Sequence, residues 1–114
     1  MDKKFIESHQ RLIQKKIDHI KDKKIRILFS AHSLPVSIIK GGDPYQWQVE
    51  QTVSAVMTGL KGHNDHVLAY QSKVTPVKWL EPSTPSEIEK AIKEDAASII
   101  AVSYTHLRAH ETSL

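Results

Sequence analysis

Cysteine is absent from the 114 residues, which excludes both a disulfide framework and a thiolate metal site. That suits a reducing compartment, and the cytoplasm is the expected location. No uninterrupted apolar stretch approaches the ~20 residues a membrane-spanning helix needs. The opening charges of MDKKFIESHQ lead into no apolar run of the kind a secretory signal carries, so the chain reads as soluble. Aromatic residues are scarce, at 6%. The net charge of +3 is uneven: residues 1–26 hold nine Lys/Arg against four Asp/Glu, and the remainder holds seven against nine. A basic first helix is compatible with peripheral contact at an anionic membrane surface. Without a series of aromatics between the lysines to stack on bases, nucleic-acid binding is not supported. A solvated helix face is the simpler reading of the same charges.

What is present fits one α/β domain. The length suits a single hydrophobic core, and the apolar share of 39% allows a modest one. From Lys4 to Asp22, the residues Phe5, Leu12, Ile13, Ile17 and Ile20 recur at mainly helical spacing. Ile25–Ser30 is a short run of β-formers and reads as a buried strand. Ser33, Pro35 and Gly41-Gly42 then mark a loop.

A second helix follows, with Asp43 as its cap, Pro44 in first position and Gln46 where a capping box wants Glu or Gln. Its stripe is Val49, Val53, Val56, Met57 and Leu60, with Gly62 as a stop. His66–Tyr70 reads as a strand and 71–82 as a connector. Thr84-Pro85-Ser86-Glu87 is a helix start with Ile88, Ala91 and Ile92 facing inward. Ala97–Val102 is the last strand. Helices and strands alternate, which predicts a parallel sheet of about three strands flanked by helices and joined by right-handed crossovers.

In such sheets ligands bind at the carboxyl ends of strands, and the first strand ends beside His32. An imidazole there can act as a base near neutral pH or as a metal ligand. Taken alone, a loop histidine is more often structural or merely exposed.

The surrounding residues alter that balance. Phe29-Ser30-Ala31-His32-Ser33-Leu34-Pro35, then Gly42-Asp43-Pro44-Tyr45, Gln71-Ser72-Lys73-Val74 and Pro76-Val77-Lys78-Trp79-Leu80-Glu81-Pro82 occur in order at compatible spacings. Together they resemble ferrochelatase over roughly residues 4–102. The resemblance implies a lyase of haem biosynthesis built on chelatase-type Rossmann-like domains, which inserts Fe²⁺ into a porphyrin held in a cleft. Residues 1–102 would supply a linking helix and the start of the second half.

By the same resemblance, His32 is the catalytic histidine, taking pyrrole protons, handling the metal, or both. Ser30, Tyr45 and Trp79 are candidates for substrate binding. Porphyrin and ferrous iron are the partners and substrates, and no tightly bound cofactor is implied. A fragment without the opposing half of the cleft is expected to be inactive alone. The alternative function is a non-catalytic porphyrin- or haem-binding module.

Two features depart from the family. Thr75 stands where glycine is usual. The tail, 103–114, lacks the family's acidic motif and resembles translated sequencing-adapter DNA, so Glu111 inherits no catalytic role. His106 and His110 share the four-residue spacing of a metal-binding helix face but have no third ligand at suitable spacing.

Overall fold

The computed structural model describes residues 2–20, 24–61, 65–73, 75–94 and 98–104. Helix α1 (Lys3–His19) starts where Asp2 accepts a hydrogen bond from the Lys4 N–H at 2.9 Å, which satisfies one of the orphan donors of a first turn. Ile13 is buried, and Phe5, Ile6, Ile17 and Ile20 pack against the core. Leu12 does not join them, being 62% exposed. One residue before Ile13, it is turned ~100° away from the inward stripe.

Strand β1 (Ile25–His32) is the centre of a three-stranded sheet of order β2-β1-β3, with β2 (Asp65–Gln71) and β3 (Ser98–Tyr104) both parallel to it. Phe29 lies level with Leu68 on one side and Val102 on the other. Ile27 through Ala31 are all buried, as expected of a central strand covered on both faces. The parallel three-stranded sheet and the α/β alternation are those the sequence predicts. β1 runs two residues further than its apolar pattern, so His32 is its last residue rather than a loop residue beyond it.

The two faces differ. On one, Ile27, Phe29 and Ala31 join Tyr70 and Ile100 beneath Ile13 of α1 and Tyr45, Val49, Val53 and Val56 of α3 (Tyr45–Thr58). Each large apolar side chain buried here contributes about 1.5–3 kcal/mol. On the other face lies α4 (Thr84–Lys93), which buries Glu87 and Ala91. Ile88 and Ile92, predicted to point inward, are 40% and 68% exposed. The rotation of α4 is set by Thr84, whose hydroxyl meets Ser30 of β1 at 2.7 Å. That anchor turns the 84/87/91 side toward the sheet.

Helix α1 also closes the end of α3. The Gln10 side-chain amide donates to the Ala55 and Val56 carbonyls at 3.1 and 3.3 Å, and Gln14 accepts from the Lys61 N–H at 2.9 Å. Gly59 makes room, since a Cβ there would fall on the Gln10 amide. The helix therefore stops at Gly59, short of the predicted stop at Gly62, which lies outside the described residues.

The segment 33–42, predicted to be a loop, contains a one-turn helix, α2 (Val36–Lys40). Its single turn between Pro35 and Gly41-Gly42 is too short for a periodic signal. No helix among the described residues is long and apolar enough to cross a membrane.

Candidate active site

Main-chain hydrogen bonds fix the end of β1. His32 pairs with Gln71, and the next N–H, of Ser33, donates to the Gln71 carbonyl at 3.0 Å. The Tyr45 hydroxyl donates to the His32 carbonyl at 2.6 Å. Tyr45 is itself buried, and its N–H donates to Asp43 Oδ1 at 2.9 Å. Asp43 is not the cap the sequence suggests: Pro44 takes that position with no side-chain cap bond, and Asp43 accepts the Tyr45 N–H from one residue before it. With its backbone held on both sides, the exposed His32 imidazole has only its own side-chain torsions left to move.

Beneath it lies a short polar chain. Gln71 Nε2 donates to Ser30 Oγ at 2.8 Å, and Ser30 Oγ lies 2.7 Å from Thr84 Oγ1. This joins β2, β1 and α4 through three neutral groups. It also explains why Ser83, and not Thr84, caps α4: the Ser83 hydroxyl accepts from the Ser86 N–H at 3.3 Å, while the Thr84 hydroxyl is already engaged.

The connector before α4 folds back onto the segment after His32. Pro35 bridges Trp79 in antiparallel fashion, the Val36 N–H donates to the Lys78 carbonyl at 2.8 Å, and the Leu80 N–H reaches both the Leu34 carbonyl and Ser33 Oγ. Trp79 is half-buried, and its indole N–H donates to Thr75 Oγ1 at 3.1 Å. A glycine at position 75 would have no hydroxyl to receive that bond.

The carboxyl end of the sheet therefore gathers the four sequence-predicted residues in different roles. His32 presents its side chain to solvent. Trp79 stands on the adjoining segment. Ser30 and Tyr45 are buried, with their hydroxyls bonded inside the protein. Ile38, Trp47 and Val77, on the segments that follow β1 and β2, are 44%, 63% and 49% exposed.

Sequence reasoning missed the tie from Tyr45 to the His32 backbone and the Gln71–Ser30–Thr84 chain. Neither has a spacing signature, because each joins residues brought together only by the sheet. Among the described residues, no group of three or more His, Asp or Glu side chains forms a metal cluster. His106, His110 and Glu111 lie outside the described residues, as does the tail from residue 105 onward.

Comparison with known proteins agrees with the sequence pattern. The family model described as ferrochelatase matches residues 1–110. The chain is 46% identical over 112 residues to the ferrochelatase of Wolbachia sp. subsp. Brugia malayi, covering 96% of this chain and 33% of that protein. Against the ferrochelatase of Rickettsia conorii it is 44% identical over 117 residues, covering 100% and 32%. For that of Wolbachia pipientis wMel the figures are 48% over 113 residues, covering 96% and 35%. The chain spans about a third of the length of the relatives it matches.

Proposed function

We propose that this chain, which belongs to the ferrochelatase family, supplies His32 as the group that accepts pyrrole protons and meets the ferrous ion as a porphyrin is metallated. One observation carries the reading: the His32 imidazole is exposed at the carboxyl end of the central strand while its main chain is bonded to Tyr45 and β2. Two N–H protons must leave the macrocycle for each Fe²⁺ that enters, so charge is conserved. A neutral imidazole is a competent acceptor. Fixing its backbone removes conformational freedom that would otherwise have to be lost at the moment of transfer.

Fe²⁺ and the porphyrin are substrates, and the chemistry calls for no resident cofactor. Trp79 and the exposed apolar side chains Ile38, Trp47 and Val77 are groups suited to contact with the flat face of a macrocycle. Ser30 and Tyr45 serve the substrate from below, by holding the strand end that bears His32. The chain alone lacks the remainder of the relatives' length and is expected not to turn over. We assign the parent enzyme to the cytoplasm, with α1 as its basic face toward anionic membranes.

The test is a chimera in which residues 1–102 replace the matching third of the wMel relative. Anaerobic Fe²⁺ insertion is followed by loss of porphyrin fluorescence. The chimera is expected to metallate, and its His32→Ala variant to lose about 100-fold or more in rate with unchanged thermal stability. Undiminished insertion by His32→Ala would remove the proposed role.

A further inference from the structure

The face of β2 beside α3 is left partly uncovered. An open groove of about 550 Å³ lies there, with Tyr70 and Leu68 of β2, Gln46, Glu50 and Met57 of α3, and Glu81 among its lining residues. Tyr70 is level with Ala31 in the sheet and belongs to the apolar core, so the groove is on the opposite face from the Ser30–Thr84 contact and its reading does not depend on that of His32.

Tyr70 is 2% exposed, and its hydroxyl has no hydrogen-bond partner. It is the single such buried side-chain atom among the described residues. Gln46 and Glu50 both lie near enough to act on the phenol. An unpartnered buried hydroxyl lowers stability, and phenylalanine would fill the same space without it. A ligand that supplies the missing partner accounts for the hydroxyl.

The rest of the lining indicates the ligand's chemistry. Although the chain is basic overall, the groove holds two carboxylates, Glu50 and Glu81, and no lysine or arginine. Between the polar groups run the aliphatic surfaces of Met57 and Leu68. A bare metal ion is poorly matched, because no cluster of three ligands forms among the described residues.

We propose that this groove binds a free aliphatic diamine. One ammonium group donates to the Tyr70 oxygen and pairs with Glu50, the methylenes lie along Met57 and Leu68, and the second ammonium group faces Glu81. The phenol keeps its own proton and accepts from the ammonium group.

Calorimetric titration of 1,4-diaminobutane into the chain at low ionic strength tests this. One saturable site is expected, weakened about tenfold by Tyr70→Phe and by Glu50→Gln, with no binding of uncharged 1-butanol. Glu50 is exposed, so its variant decides the matter even if Tyr70→Phe perturbs folding. The proposal is overturned if the parent shows no saturable binding, if both variants bind as the parent does, or if a lysine-containing peptide binds where the diamine does not.

Discussion

The two ends of the sheet are fastened by different chemistry. At the amino end, the Arg26 guanidinium reaches across from β1 to Asp65 at the start of β2 and to Glu94 after α4, at 2.8 and 3.1 Å. At the carboxyl end, the same three elements meet through Gln71, Ser30 and Thr84, all uncharged. Tyr45 adds a third neutral tie to the strand end. The charged clamp sits where solvent can reach its carboxylates, whose side chains are 59% and 43% exposed. The neutral ties are part-buried and centre on the buried Ser30 and Tyr45 side chains, where an unpaired ion would be costly. Neutral supports also impose no fixed charge on the His32 imidazole, which in the proposed role gains and loses protons.

If neutrality is what holds the carboxyl end, forcing a charge into it should produce the largest effect. Tyr70 is the group to use. Burial, then the Glu50 charge, raises its phenol from 10.0 to about 12. A raised value means the folded state favours the protonated form, so its contribution is complete below pH 10 and disappears as the pH climbs to about 12. Relative to Tyr70→Phe, the parent should lose on the order of 2 kcal/mol across that window. Urea midpoints measured at several pH values between 9 and 12 would reveal it. A constant gap between the two proteins would mean that the phenol ionises as freely folded as unfolded.

Ser30→Ala comes next. It removes the acceptor for Gln71 and the partner of the half-buried Thr84 hydroxyl. About 1–3 kcal/mol should be lost, independently of salt. Tyr45→Phe removes only the bond to the His32 carbonyl, at about 1 kcal/mol. In the chimera it should also slow metallation more than its stability effect accounts for, because the strand end bearing His32 loosens. If Tyr45→Phe lowered stability alone, the tie would be structural and would not position the histidine.

How much of this was legible in the sequence follows from the range of each interaction. Strands and the long helices are marked by local patterns, so the β-formers of 25–30 and the Val49/Val53/Val56 stripe give the α/β sheet. The facing of α4 was not legible. Ile88 and Ile92 look like an inward pair, yet one hydrogen bond from Thr84 to a strand 54 residues away turns them outward. The same limit applies at the site. His32 is recognisable from its contiguous neighbours, whereas the residues that fix its main chain are joined to it only by tertiary contact. The groove beside Tyr70 left no trace either, because an aromatic in a strand looks the same with or without a partner for its hydroxyl.

The smallest effect is expected at the amino end, and its character matters more than its size. Both hydrogen bonds, the one to Glu94 first and then the one to Asp65, raise the Arg26 guanidinium above its already high ordinary value, so it stays charged at any working pH. Its partners are wet, and exposed ion pairs are worth ~0.2–1 kcal/mol. Arg26→Met should therefore cost less than Ser30→Ala. Its deficit should also shrink toward zero in ~1 M salt, where the screening length falls to ~3 Å. Denaturation midpoints of parent, Arg26→Met and Ser30→Ala at low and high salt separate the cases. A salt-independent loss at Arg26 larger than that at Ser30 would reverse the comparison: the aliphatic stem of the arginine would then be packing as core, and the charged end would be the one that holds the sheet together.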